Sequence, residues 1–165
     1  MVTFSFDIVS DINLSEINNV LDQVRREISN RYDFKNKLVE IDFIDNSKNG
    51  FVLTAENDLL IDSLLEIIRK KLASRNLSQK ILDLNQPKIE SNLKIKYELP
   101  FIKGLDQAKT KELNNLIRTN FPKVKTTNNK DNIRVSANSK DELQKTIQML
   151  RTSDLAYPIQ FINFH

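Results

Sequence analysis

The sequence predicts an α+β fold built twice over, and two observations carry that prediction. The first is an internal repeat. Asn49–Arg69 reads NGFVLTAENDLLIDSLLEIIR and Asp131–Arg151, 82 positions later, reads DNIRVSANSKDELQKTIQMLR. Phe51, Leu53 and Ala55 match Ile133, Val135 and Ala137, while Ile61, Leu65 and Ile68 match Leu143, Ile147 and Leu150. The second observation is a switch of period. In each copy the apolar spacing changes from two to 3.6 at the same place, so each copy reads strand then helix.

The remaining elements follow in order. Phe4–Val9 alternates, with Phe4, Phe6 and Ile8 on one face. Asn13 and Glu16 have capping-box spacing, and the stripe Ile17, Val20, Leu21, Val24 and Ile28 predicts the first helix. After RYDFKN come strands over Leu38–Ile44 and Phe51–Ala55, parted by the turn-like DNSKNG. The second helix buries Ile61, Leu64, Leu65, Ile68 and Leu72, and a short strand over Lys80–Leu84 closes the first half.

Asn85–Asn92 (NQPKIESN), with Pro87 and few apolar residues, reads as a linker. The second half repeats the order. A strand over Leu93–Leu99 turns Ile95, Tyr97 and Leu99 inward; Pro100–Gly104 breaks it, and a helix runs over Leu105–Asn120. Strands Lys123–Thr127 and Ile133–Ala137 flank TNNKDN, Ser139 and Glu142 cap the last helix, and a final strand lies near Ile159–Ile162. Each half is therefore β-α-β-β-α-β, the split pattern of ferredoxin-like domains, with two helices on one face of a four-stranded antiparallel sheet. The other face stays open.

Several stretches also resemble one family. SFDIVS (Ser5–Ser10), RYDFK (Arg31–Lys35), NIRVSANSKDELQ (Asn132–Gln144) and the tail LR..DL..P.QF.NF (Leu150–Phe164) resemble the YajQ family of bacterial cytoplasmic proteins, in order and over the full length. The resemblance implies two ferredoxin-like domains that exchange their first strands. One would span residues 11–100, completed by the strand 93–99. The other would join residues 1–10, with strand 4–9, to residues 101–165. The resemblance further implies binding of a nucleotide, a cyclic dinucleotide or RNA, without a known catalytic activity. Two positions depart from it: Asn36 and Ala137 stand where relatives often have Gly.

Composition narrows the function classes. No apolar run approaches the roughly 18 residues of a membrane span, and MVTFSFDIVS lacks a basic n-region, so a cytoplasmic location is expected. With no Cys, one His and only Gly50 and Gly104, neither a thiolate nucleophile, a P-loop nor a dinucleotide fingerprint can be written. The Glu40/Asp42 pair alternates along a strand, the usual pattern of a solvent face. The chain is expected not to be an enzyme, and to need neither cofactor nor metal.

Charge points to an anion. Residues 1–90 carry 12 Lys/Arg and 15 Asp/Glu (net −3), whereas residues 91–165 carry 13 and 7 (net +6). Lys94 and Lys96 alternate with Ile95 and Tyr97, Lys123 and Lys125 flank Val124, and Arg134 sits between Ile133 and Val135. In unswapped halves all five lie on one open sheet face and form a phosphate track. With exchanged strands, Lys94 and Lys96 move beside Glu40 and Asp42, leaving Lys123, Lys125 and Arg134 near Asp7. Tyr32 and Phe34 have two roles open to them: plugging sheet to helix, or a stacking surface beside Arg31 and Lys35. The candidate nucleotide-binding residues are thus Arg31, Phe34, Lys35, Lys94, Lys96, Lys123, Lys125, Arg134 and Lys140. The partner is a nucleotide or RNA, bound by a monomer or weak oligomer. The competing reading is a protein-interaction module, with no nucleotide ligand, whose open sheet faces are covered by each other or by a partner.

Overall fold

The computed structural model describes residues 2–165. Its strands and helices are β1 (Phe4–Val9), α1 (Leu14–Asn30), β2 (Val39–Phe43), β3 (Gly50–Ala55), α2 (Asp58–Ser74), β4 (Ile89–Ser91), β5 (Lys94–Pro100), α3 (Gln107–Asn120), β6 (Lys125–Asn128), β7 (Ile133–Ala137), α4 (Lys140–Thr152) and β8 (Gln160–Ile162). Side-chain caps start all four α-helices of the described residues. Asn13, Asn57, Asp106 and Ser139 accept from the backbone N–H three residues on, satisfying donors that the helix itself leaves free.

The elements gather into two compact units that do not follow the sequence halves. One is Ile12–Ile102; the other joins the segment ending at Asp11 to Lys103–His165. Each holds a four-stranded antiparallel sheet, ordered β2-β3-β5-β4 in the first and β6-β7-β1-β8 in the second. Both are ferredoxin-like βαββαβ arrangements. The central place filled by β5 in one is filled by β1 in the other.

In the unit Ile12–Ile102, Ile17, Val20, Leu21 and Val24 of α1 and Ile61, Leu64, Ile67, Ile68 and Leu72 of α2 pack on Phe51, Leu53, Ile95, Tyr97 and Leu99. Gly50 is required by a close approach. A Cβ there would stand 2.5 Å from the Leu99 carbonyl oxygen and 2.7 Å from the Pro100 Cα. In the other unit Phe6, Ile8, Leu113, Ile117, Ile133, Val135, Leu143, Ile147 and Leu150 are buried.

Four expectations are corrected. Lys80–Leu84 is not a strand: Gln79–Ile81 form a 3-10 turn, and Leu82 makes a single bridge to Phe101. The fourth strand is Ile89–Ser91, inside the stretch read as a linker. Asn92 (φ 52°) and Leu93 (φ 63°) turn it straight back into β5. Two successive left-handed residues make the tight hairpin turn whose twist suits antiparallel strands, and Asn-Leu lacks the usual glycine signal for it. Leu65 is only partly buried, and Ile67 takes the interior place instead. Lys123 lies in a turn, because the strand begins at Lys125.

Candidate functional site

Register fixes what the open face of the second unit presents. Across the strands run the rows Thr127, Arg134, Asp7 and Ile162, and Lys125, Ser136 and Ser5. Residues directly opposite in antiparallel strands share a face, so Lys125 and Arg134 lie on one polar face with three hydroxyls. Lys125 is exposed.

Arg134 is tied. Its Nε donates to Asp7 Oδ1 at 3.0 Å and its Nη2 to Oδ2 at 3.5 Å, while Asn163 Nδ2 donates to the same Oδ2 at 2.9 Å. The Asp7 side chain is 2% exposed, the Arg134 side chain 50%. The Arg134 hydrogen bond holds the Asp7 carboxyl below its usual range against the opposing effect of burial. Hence Arg134 stabilises a buried carboxylate before it can meet a ligand, and its positive charge is largely matched.

Lys140 opens α4 and is exposed, with its ammonium 5.2 Å from the Phe4 ring centroid. Arg151 lies 5.5 Å from the Phe161 ring. Cations over aromatic faces are attracted by the ring quadrupole. In the same unit Tyr157 donates to Glu112 Oε1 at 2.6 Å, and burial pushes the phenol pKa up.

The unit Ile12–Ile102 disposes its candidates differently. Phe34 is 4% exposed, within the core, so of its two roles the structure assigns the plug; Tyr32, at 88%, is the exposed ring. Arg31 sits 4.7 Å from the Phe34 ring and pairs with Asp33 at 2.8 Å and Glu27 at 3.5 Å, which raises its pKa. Lys35 is exposed just after the 3-10 turn Tyr32–Phe34. Asn36 follows at φ 61°, a left-handed conformation that Gly adopts freely and Asn tolerates better than most residues. Lys96 shares a row with Glu40, Thr54 and Ile89; Lys94 lies opposite Ser91, on the same exposed side. Asp42 on that face is paired with Arg25 at 3.1 Å.

Exchange of strands also redistributes charge. The unit Ile12–Ile102 carries 14 Lys/Arg and 14 Asp/Glu, and the other carries 11 and 8. The asymmetry between sequence halves, −3 against +6, becomes 0 against +3, because Lys94, Lys96 and Glu98 leave the basic side and Asp7 and Asp11 join it.

Sequence reasoning missed Asn163 as the second donor to Asp7, and missed the burial of Asp7. The available signal was its register opposite Arg134, legible only once β1 is paired with β7. Among the described residues no group of three His, Cys, Asp or Glu is placed to hold a metal ion, and no helix is long and apolar enough to cross a membrane.

Each unit is a ferredoxin-like α+β domain, and the one containing β1 carries hydroxyls and cations on one face of its sheet. The chain belongs to the YajQ-like family of nucleotide-binding proteins: the family model described as "Nucleotide-binding protein YajQ-like" matches residues 4–165. It is 40% identical over 162 residues to a nucleotide-binding protein of Nostoc punctiforme, covering 98% of each chain. Nucleotide-binding proteins of Thermosynechococcus vestitus (38%, 98% of each chain) and Synechococcus elongatus (36%, 97% of this chain and 96% of the other) are similar to it as well. These relatives are named for binding, not for a reaction.

Proposed function

We propose that this protein binds a nucleotide, a cyclic dinucleotide or RNA without acting on it, and that phosphates are recognised by the basic unit. The observation that carries the reading is the open face of β6, β7 and β1. Lys125 and Arg134 stand there among Ser5, Thr127 and Ser136, with the apolar Ile162 only at the far end of the Arg134 row. A phosphate asks for cations and hydroxyl donors in a solvated setting, whereas a protein partner of ordinary size asks for an apolar centre. Lys123, in the turn before β6, extends the cationic edge. The rows Thr127–Arg134–Asp7 and Lys125–Ser136–Ser5 hold hydroxyls, paired charges and one unpaired lysine, which suits binding and offers no nucleophile activated by a base. Metal-free, cytoplasmic action of a monomer or weak oligomer fits the same reading.

The test is equilibrium binding of 5′-GMP, cyclic diguanylate and a fluorescent oligouridylate to the full chain at low ionic strength. At least one is expected to bind, and to be released by added salt. Indifference to all three would overturn the reading in favour of a protein-interaction module.

A further inference from the structure

The last strand departs from regular pairing where it meets β1. Ile162 lies opposite Asp7. The backbone of His165 then exchanges both hydrogen bonds with Ser5, N–H to carbonyl, at 2.9 and 3.1 Å. Asn163 and Phe164 therefore stand together against the single residue Phe6. This is a β-bulge, and Asn163 takes the left-handed conformation (φ 55°) that such an insertion uses. Its side chain is locked to Asp7, which fixes the bulge.

A bulge re-aims the side chain that follows it. Regular alternation from Phe161 and Ile162 would turn Phe164 to the open face. The extra residue turns it to the helix side instead, where its ring centroid lies 6.0 Å from that of Phe6, with Phe161 5.6 Å from Phe6. Yet Phe164 remains 58% exposed. A ring carried to the apolar side and left half in water is available to a ligand.

What it faces is a cavity of about 390 Å³ whose lining includes Phe4, Lys140, Leu143, Gln144, Ile147 and Phe164. That volume falls within the range of small-molecule sites, of the order of 300–1,000 Å³. Two aromatic rings supply stacking surface, the Gln144 amide can both donate to and accept from a base edge, and the Lys140 ammonium stands beside the Phe4 ring.

We propose that this cavity is a second, nucleobase-stacking site on the helix side of the sheet, apart from the Lys125 and Arg134 face, in which a mononucleotide lays its base against Phe164 and Phe4 and its phosphate beside Lys140. The proposal rests on the nucleotide-binding reading and says where the base goes. Asn163 acts as a positioning residue through the bulge.

The experiment uses the full chain with 5′-GMP and, as a base-free control, ribose 5-phosphate, followed by calorimetry and amide NMR. Wild-type protein should bind 5′-GMP with shifts clustered at Phe4, Lys140, Gln144 and Phe164. Phe164→Leu should weaken 5′-GMP roughly 5- to 150-fold, the worth of one base–aromatic stack, and leave ribose 5-phosphate unchanged. Lys140→Gln, at an exposed helix start, should weaken both ligands. Binding of 5′-GMP at wild-type affinity by both variants, with shifts elsewhere, overturns the pocket while nucleotide binding stands. Binding of ribose 5-phosphate as tight as that of 5′-GMP overturns the stacking role. Failure of 5′-GMP to bind wild type overturns the pocket, and the broader reading falls only if cyclic diguanylate and oligouridylate fail too.

Discussion

Arg134 reaches across 127 positions of sequence to hold Asp7, its Nε 3.0 Å from Oδ1. The contact binds the first strand to the unit built from the far end of the chain, on the face that carries the candidate phosphate contacts. It has a consequence for acid stability. The Asp7 carboxyl ionises below its ordinary value of 3.8 in the folded protein, chiefly because of the Arg134 hydrogen bond. The folded state then binds fewer protons than the unfolded one, so this group's stabilisation is complete above 3.8 and is lost as pH falls through the lowered folded value. Asp7→Asn should cost about 1–3 kcal/mol at neutral pH, as charge-assisted hydrogen bonds are removed, and should lessen the loss of stability in acid. Urea unfolding at several pH values reads both effects. An unaltered acid profile would show that the pair contributes nothing.

The two helical positions matched by the repeat should not be energetically equal. Ile147 is 3% exposed, whereas Leu65 only flanks its core. Ile147→Ala should cost about 2–5 kcal/mol and Leu65→Ala distinctly less. Equal losses in denaturant midpoints, at equal slope, would contradict the burial pattern.

At Gly50 the backbone of β3 runs against Leu99 and Pro100 too closely for a side chain. Gly50→Ala should destabilise by about 1–3 kcal/mol through overpacking, although Ala suits a strand better than Gly elsewhere. A thermal melt matching wild type would mean that the two strands separate without cost.

Strand exchange predicts which fragments fold. Residues 12–102 alone contain every strand of one sheet and should melt cooperatively. Cutting at Pro87 instead leaves residues 1–87 without β4 and β5, and residues 88–165 without β1. Those pieces should fold poorly apart. Cooperative melting of 1–87 by itself would rule the exchange out.

Much of this fold could be read from the chain because its strands alternate on one side only and its helices carry clear stripes. Phe51, Leu53 and Ala55, and Ile133, Val135 and Ala137, are buried where the repeat places them. The edge strand β4 was illegible for a physical reason: Ile89, Glu90 and Ser91 are all exposed, so no buried face marks them. Leu93, 98% exposed at φ 63°, hides the turn behind an apolar side chain. The site was less legible still. Basic residues are visible in the sequence, but pairing decides which are free, and Arg134 and Arg31 are both engaged by carboxylates. Phe164 takes its place only through a one-residue bulge, which no periodicity announces.

Phosphate recognition by the basic unit is tested most directly by the salt dependence of single-stranded RNA binding. With Arg134 already matched by Asp7, the two contacts at Lys123 and Lys125 predict a slope of log affinity against log salt of about −1.4, about −0.7 for each phosphate neutralised. Lys125→Gln is the cleanest variant, because Arg134 also holds Asp7, and it should make the slope shallower by about 0.7. Binding that ignores salt, or a slope that Lys125→Gln leaves unchanged, would contradict the account.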